Sequence, residues 1–141
     1  MKIVEQSARS AATPKTPTPK TPPRRIAIVD DDASIREALK SLMRSVRFDA
    51  EAFASAEEFL ASERSKDTAC LILDINLPGM SGLELQNHLN REQRSIPIVF
   101  ISAHADEASR QRALQGGAID FLGKPVRRET LFKAIQAAIA G

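Results

Sequence analysis

The chain has 141 residues, the length of one domain, and its 43% hydrophobic and 27% charged residues are typical of a globular protein. Its formal net charge is only +2, but this charge is unevenly distributed. Residues 1–25 carry six basic residues and one acidic residue, whereas the remainder carries 14 basic and 17 acidic residues. Because the globular part is mildly acidic, composition argues against direct nucleic-acid binding by this chain.

The sequence also excludes some kinds of site and indicates the cellular compartment of the protein. A single cysteine, Cys70, excludes an intramolecular disulfide and a cysteine-rich zinc site. No apolar run approaches the ~20 residues that a membrane span needs, and no secretory signal is recognisable at the N-terminus. We therefore expect a cytoplasmic protein that does not contact membranes.

The first 24 residues differ in composition from the rest. Five of the eight prolines fall between Pro14 and Pro23, in the stretch TPKTPTPKTPPRR. Proline removes backbone donors and favours extended conformations, while threonine and lysine add nothing to a core. We predict a disordered Pro/Thr/Lys-rich tail over 1–24 and one folded domain over 25–141. The tail is interpreted as a solubilising leader or, alternatively, as a weak contact site for a partner.

From Arg25 onward, short apolar runs alternate with amphipathic stretches, which predicts five β–α units. The strands are predicted at Ile26–Val29, Phe48–Phe53, Cys70–Leu73, Ile98–Ile101 and Phe121–Leu122. The helices are predicted at Ile35–Val46, after Ser55, after Ser81, at Asp106–Gln115 and at Glu129–Ala140. Most of these strands are apolar on both faces and need cover on both. The pattern therefore predicts an α/β fold, a parallel sheet with helices on each side.

Polar side chains follow four of the five predicted strands, at the carboxyl edge where open parallel sheets place their sites. In chain order they are Asp30, Asp31 and Asp32, then Asp74, Ser102 and Lys124. Each has an ordinary structural explanation when taken alone. Asp31 or Asp32 suits a helix cap, Asp74 a turn, and Ser102 the cap of the next helix. Their coincidence on one edge is what favours a functional site.

Three or more carboxylates at one edge repel one another and raise one another's pKa. A divalent cation or the ammonium of Lys124 relieves that repulsion. Carboxylates, a backbone carbonyl and water are the oxygen ligands that Mg²⁺ prefers, and no histidine or cysteine at these strand ends points to zinc. The sequence therefore favours Mg²⁺ as the cofactor.

Four segments in order carry a resemblance to a known family: IVDDD at 28–32, LILDINLPGMSG at 71–82, FISA at 100–103 and FLGKP at 121–125. They resemble the receiver domain of two-component response regulators, and FixJ-type receivers in particular. The resemblance implies a flavodoxin-like, CheY-like (βα)5 fold with a five-stranded parallel sheet in the order 2-1-3-4-5. It covers the chain from about Arg25 onward.

The resemblance also implies roles for the acidic residues. Asp74 is expected to be the phospho-acceptor. Asp30, Asp31, Asp74 and the backbone carbonyl of Asn76 are expected to hold Mg²⁺, with Asp31 a direct ligand and Asp30 acting mostly through water.

Four further residues receive roles in the same way. Ser102 and Lys124 are expected to bind phosphoryl oxygens, and the Lys124–Pro125 peptide bond is expected to be cis. Ser102 and Phe121 are the expected switch pair, in which an aromatic ring moves when the hydroxyl does. The alternative for Phe121 is a simple core aromatic.

These roles predict a signalling domain and not an enzyme. A histidine kinase or phosphotransfer protein would supply the phosphoryl group. The face formed by the fourth helix, fifth strand and fifth helix would then bind a downstream protein or a second copy of the chain. We expect a stand-alone regulator; the alternative is the isolated receiver of a FixJ-type transcription factor. A metal-dependent phosphohydrolase would need a second acid where Asn76 stands.

Overall fold

The computed structural model describes residues 25–140, which form one parallel sheet of five strands. The sheet order is β2-β1-β3-β4-β5, so the predicted topology is confirmed. The predicted tail, residues 1–24, lies outside the described residues. The strands are β1 (Arg25–Val29), β2 (Asp49–Phe53), β3 (Thr68–Asp74), β4 (Ile98–Ser102) and β5 (Asp120–Gly123).

Five α-helices cover both faces of the sheet, and the first four of them connect consecutive strands. They are α1 (Ala33–Ser45), α2 (Ala56–Ala61), α3 (Gly82–Arg91), α4 (Glu107–Gln115) and α5 (Arg128–Ala140). Side chains of each strand alternate between two apolar clusters, as the pleat requires. Ala27 and Val29 face α2, α3 and α4, whereas Ile26 and Ile28 face α1 and α5. The core is therefore two layers, with the sheet between them.

Short-range signals in the sequence place most of the helix starts. The Ser81 hydroxyl accepts from the Glu84 N–H, and the Glu84 carboxylate accepts from the Ser81 N–H, which completes a capping box. At α2, the Ser55 hydroxyl likewise accepts from the Glu58 N–H. Helix α4 is capped by Asp106 and not by Ser102. Ser102 is therefore not needed as a cap.

The segment before β3 differs from the sequence prediction. Strand β3 begins at Thr68, two residues earlier than expected, and a short 3₁₀ helix at Glu63–Asp67 precedes it. The 3₁₀ helix has no hydrophobic period to reveal it. It is held instead by a tertiary contact, because Arg94 Nη2 donates to the buried Ser65 Oγ at 2.9 Å.

The turn between β3 and α3 brings two backbone segments very close together. The Gly82 N–H donates to the Ile75 carbonyl at 2.9 Å. A Cβ atom at Gly82 would lie 2.4 Å from the Asp74 carbonyl oxygen and 2.9 Å from Ile75 Cα. Both neighbours are backbone atoms, so they have no side-chain rotation with which to escape. Only glycine fits where α3 starts against the end of β3.

We therefore expect Gly82→Ala to lower the free energy of unfolding by about 1–3 kcal/mol, the usual cost of overpacking. Gly123→Ala is the matched control, because a Cβ there meets its nearest neighbour, Ala105 Cβ, at 3.8 Å. The control is expected to stay within about 0.5 kcal/mol of the wild type. Urea unfolding of the three proteins measures this, and equal midpoints for the two variants would contradict the close approach.

Candidate functional site

The carboxyl edge of the sheet gathers the acidic residues that the sequence singled out. Asp30 follows β1 and Asp74 ends β3, two strands that are neighbours in the sheet. Carboxylate oxygens of Asp30, Asp31 and Asp74 lie within 4.8 Å of one another. Asp30 and Asp74 are buried, and Asp31 is exposed. The three side chains thus form one acidic site with one open side.

The three consecutive aspartates after β1 have different structural roles. Asp32 is the N-cap of α1, and its Oδ1 accepts from the Ser34 N–H at 2.8 Å and from the Ile35 N–H at 3.3 Å. Asp30 Oδ1 accepts from the Asp32 N–H at 2.9 Å, which fixes the turn. Asp31 does not cap the helix, and it faces the site together with Asp30. The sequence left open whether Asp31 or Asp32 was the cap, and the structure decides it.

Lys124 supplies the positive charge of the site. Its Nζ lies 2.9 Å from Asp30 Oδ2 and 3.0 Å from Asp74 Oδ2, between the two buried carboxylates. The Lys124–Pro125 peptide bond is cis, and the Lys124 N–H donates to the Ser102 carbonyl at 2.8 Å. Lys124 directly follows β5, and its side chain extends past the end of β4 to the carboxylates at the ends of β1 and β3.

The electrostatic balance of the site is negative. Burial raises the pKa of Asp74 above its usual value, hydrogen bonds from the Asn76 N–H and Lys124 offset part of that rise, and the charge of Asp30 adds to it. Burial also acts to lower the pKa of Lys124, but its contacts with Asp30 and Asp74 outweigh burial and raise it. Lys124 is therefore charged at neutral pH. One ammonium faces three carboxylates.

The donor set of this site suits a hard divalent cation. All three candidate side-chain ligands are carboxylates, and magnesium prefers oxygen ligands. Asp30 Oδ2 is completely buried and, among the described residues, accepts no well-directed hydrogen bond, although Lys124 lies close to it. Asn76 lies in the turn after β3, where its N–H donates to Asp74 Oδ1 at 3.0 Å. An oxygen-rich, under-neutralised site of this kind fits Mg²⁺.

Ser102 lies at the end of β4, where its side chain is engaged with its own loop. Its hydroxyl donates to the His104 carbonyl at 2.9 Å and accepts from the His104 N–H at 3.0 Å. A hydroxyl has one proton to donate. Contact with an oxygen of a group bound to Asp74 would therefore require Ser102 to release the His104 carbonyl.

Phe121 occupies the core in this structure. It is 7% exposed, and its ring centroid lies 6.4 Å from that of Phe100 at an interplanar angle of 41°. This placement agrees with the interpretation of Phe121 as a core aromatic. Its expected role as a switch stays a prediction.

Two polar contacts near the site were not predicted from the sequence. Arg36 Nη1 donates to the backbone carbonyl of Asp30 at 2.8 Å. The Glu57 carboxylate accepts from the Met80 N–H at 2.9 Å, in the loop that follows Asp74. Neither Arg36 nor Glu57 stands at the end of a strand. The search for polar residues at strand ends, which found the other site residues, therefore could not find these two.

Comparison with known proteins identifies the family. Residues 26–136 match the family model described as "Response regulator receiver domain", and the chain belongs to that family. It is 47% identical over 113 residues to "Nodulation protein W" of Bradyrhizobium diazoefficiens, a match that covers 80% of this chain and 50% of the relative. It is 46% identical over 114 residues to "Response regulator protein TodT" of Pseudomonas putida, covering 81% and 50% respectively.

Solved structures agree with this assignment. The response regulator StyR superposes with a TM-score of 0.76 at 44% identity, covering 82% of this chain and 59% of that one. The crystal structure of FixJ-N superposes with a TM-score of 0.74 at 32% identity, covering 82% of this chain and 93% of that one. The chain spans about half the length of the curated relatives it matches. Among residues 25–140, no helix is long and apolar enough to cross a membrane.

The raised pKa of Asp74 makes its ionisation unfavourable for folding. Since the pKa of the folded protein lies above the usual value, stability falls as the pH rises through that pKa. We therefore expect Asp74→Asn, in EDTA, to unfold at higher urea than the wild type at pH 7, with Lys124 still paired to Asp30. The difference should shrink as the pH falls and Asp74 becomes protonated.

Asp106→Asn is the control for this prediction. Hydrogen bonds from the Ser109 N–H and hydroxyl lower the pKa of Asp106, so its ionised form stabilises the fold. No gain in stability is expected from that variant at pH 7. If Asp74→Asn were as stable as or less stable than the wild type at pH 7, the negative imbalance described above would be wrong.

Proposed function

We propose that this receiver domain accepts a phosphoryl group on Asp74 from a histidine kinase or phosphotransfer protein, with Mg²⁺ bound in the acidic site. The observation that carries the proposal is the placement of Asp74. It is a buried carboxylate at the carboxyl edge of the sheet, in contact with Lys124 and beside two further aspartates. Membership of the receiver family supports the same chemistry.

The two carboxylate oxygens of Asp74 have different hydrogen-bond partners. Oδ1 accepts from the Asn76 N–H, and Oδ2 contacts Lys124. One Asp74 oxygen attacks the phosphorus of a phosphohistidine, the O–P bond forms, the P–N bond breaks, and the imidazole leaves. Lys124 is close enough to pair with an oxygen of the transferred group, and Ser102 would donate to another.

Asp30, Asp31, Asp74 and the Asn76 carbonyl are the proposed magnesium ligands. When bound, the cation neutralises charge that develops on the phosphoryl oxygens. Asp31, the exposed carboxylate of the three, lies on the open side and is the proposed direct ligand. Asp30, which is buried and paired with Lys124, is proposed to act through water.

The proposed output begins at Ser102. If its hydroxyl turns to the phosphoryl group, the His104 carbonyl loses the hydrogen bond from Ser102 and keeps the one from the Asp106 N–H. The loop that leads into α4 is then held to Ser102 by one hydrogen bond fewer. Among the described residues of α4, only Ala113 is buried. The C-terminal end of the helix is held by α3, since Gln86 Nε2 donates to the Ala113 carbonyl at 2.9 Å and Asn90 Nδ2 to the Gly116 carbonyl at 3.0 Å. The N-terminal end is therefore the one proposed to move.

This movement would change the α4–β5–α5 face, which we define as residues 105–115, Phe121 and residues 127–133. The face is rich in arginine, and Arg110 forms an exposed ion pair with Glu107 at 3.8 Å. Its proposed occupant is a downstream protein or a second copy of the chain.

The relatives favour one form of output. The matched segment makes up about half of "Nodulation protein W", and another relative is named "Transcriptional regulatory protein FixJ". We therefore propose that the chain acts as the receiver module of a FixJ-type transcription factor; the alternative is a stand-alone regulator that acts through this face. The reading frame that follows the codon for Gly141 distinguishes the two.

Incubation with Mg²⁺ and acetyl phosphate tests the acceptor directly. We expect intact-mass spectrometry to show the gain of one phosphoryl group on the wild type and no gain on Asp74→Asn or in EDTA. Asp106→Asn, an exposed helix cap, is the control and should be phosphorylated like the wild type. An adduct that persists on Asp74→Asn would exclude Asp74 as the acceptor. Absence of an adduct and of beryllofluoride binding in the wild type would refute the proposal.

The output is tested by comparing amide chemical shifts before and after addition of beryllofluoride and Mg²⁺. We expect the largest changes at the N-terminal end of α4 and in β5. Ser102→Ala should bind the phosphoryl mimic yet show smaller changes in α4, because it lacks the hydroxyl that moves. Shifts on the α4–β5–α5 face that stay unchanged in the wild type would contradict the proposed output.

A further inference from the structure

A carboxylate on α2 reaches the loop that follows Asp74. Glu57, in the first turn of α2, accepts from the Met80 N–H through Oε2 at 2.9 Å. The two residues lie 23 positions apart in the chain, so the contact is tertiary. Met80 belongs to the β3–α3 loop, residues 75–81, which also contains Asn76 and its proposed ligand carbonyl. A residue remote from the acidic site is thus joined to the loop that builds it.

The backbone of this loop is shaped to receive that carboxylate. Gly79 has a φ of +73°, a conformation that residues with a Cβ rarely adopt. A Cβ at Gly79 would also lie 2.7 Å from Glu57 Oε2. Glycine therefore permits the turn and leaves room for the carboxylate to approach. Both features serve the same contact.

The other hydrogen bonds of the loop are made to β3, to β4, to α3 and within the loop itself. The Asn76 N–H donates to Asp74, the Ile75 N–H to the Ile101 carbonyl, the Leu77 and Gly82 N–H groups to the Ile75 carbonyl, and the Ser81 N–H to Glu84. Among the loop contacts that the structure describes, the one from Glu57 is made by α2. It restrains the middle of the loop, between the turn after β3 and the start of α3.

We propose that Glu57 is a positioning residue that holds the β3–α3 loop and so sets the Mg²⁺ affinity of the acidic site and the rate at which Asp74 is phosphorylated. The second part rests on the function proposed above. If the tether is lost, the loop samples more conformations, and ordering the Asn76 carbonyl costs free energy at the moment of binding. The Met80 N–H also lowers the pKa of Glu57, which agrees with a carboxylate that accepts this bond in its ionised form.

The neighbouring glutamate provides a matched control. Glu58 lies on the same helix and is also exposed, but its Oε1 accepts from the Ala54 N–H at 3.1 Å, next to the start of α2 itself. Glu57→Ala and Glu58→Ala therefore remove the same chemical group one residue apart. Only Glu57→Ala removes a bond to the β3–α3 loop. Glu57→Gln keeps an oxygen that accepts from the Met80 N–H but lacks the charge.

The first measurement needs no metal. In EDTA, we expect hydrogen exchange of the Met80 amide to be faster by roughly three- to tenfold in Glu57→Ala, the range that loss of one hydrogen bond gives. Glu57→Gln should lie between that variant and the wild type, and Glu58→Ala should match the wild type at Met80. Thermal unfolding of the same samples shows whether all variants are folded. Unchanged exchange in Glu57→Ala would overturn the tether.

The second measurement uses Mg²⁺ itself. Titration followed by amide chemical shifts should give a dissociation constant roughly three- to tenfold weaker for Glu57→Ala, partial rescue by Glu57→Gln, and no change for Glu58→Ala. The rate of phosphorylation by acetyl phosphate at limiting Mg²⁺ should follow the same order. Equal effects of Glu57→Ala and Glu58→Ala would show a general loss of stability and overturn the positioning role.

The two proposals fail in different ways. If the wild type neither binds Mg²⁺ nor accepts a phosphoryl group while Met80 exchange responds as expected, the proposed function fails and the loop tether stands. If the wild type is phosphorylated but Glu57→Ala is equally fast and binds Mg²⁺ equally well, the function stands and the positioning role of Glu57 is wrong.

Discussion

The site depends on an excess of negative charge, because three carboxylates lie beside one ammonium. Asp30 and Asp74 are buried side by side at the ends of neighbouring strands, Asp31 closes the group, and Lys124 is the ammonium that contacts both buried carboxylates. Burying charges without full compensation costs stability. Burial of the large apolar core on both faces of the sheet offsets this loss of stability. The result is a site whose negative excess a bound cation would reduce.

The loops at this edge hold the charged side chains in defined positions. Gly82 lets α3 begin against the end of β3, and the Asn76 N–H orients Asp74 from within the turn. On the other side of the site, the Ser102 hydroxyl ties the end of β4 to the following loop through two hydrogen bonds with His104. In the function proposed above, a change at Asp74 would reach α4 through this loop.

Most of the fold was predictable because its signals are local. Five apolar runs gave the strands, the Ser81–Glu84 capping box gave the start of α3, and parallel connection placed every strand's carboxyl end at one edge. The site followed from that edge, since Asp74 and Lys124 stand directly at strand ends. The 3₁₀ helix before β3 was missed because a polar stretch without period depends on a distant contact, the one between Arg94 and Ser65.

The sequence by itself determined the class of fold, the family, and the three carboxylates and the lysine of the acidic site, because hydrophobic period and motif spacing depend only on the order of the residues. Only the tertiary structure decided that Asp32 caps α1 while Asp31 faces the site, that Lys124 contacts two carboxylates, and that Phe121 packs in the core. It alone brought Glu57 to Met80. These contacts join residues far apart in the chain, or choose between neighbours of identical chemistry, and folding in three dimensions is what sets both.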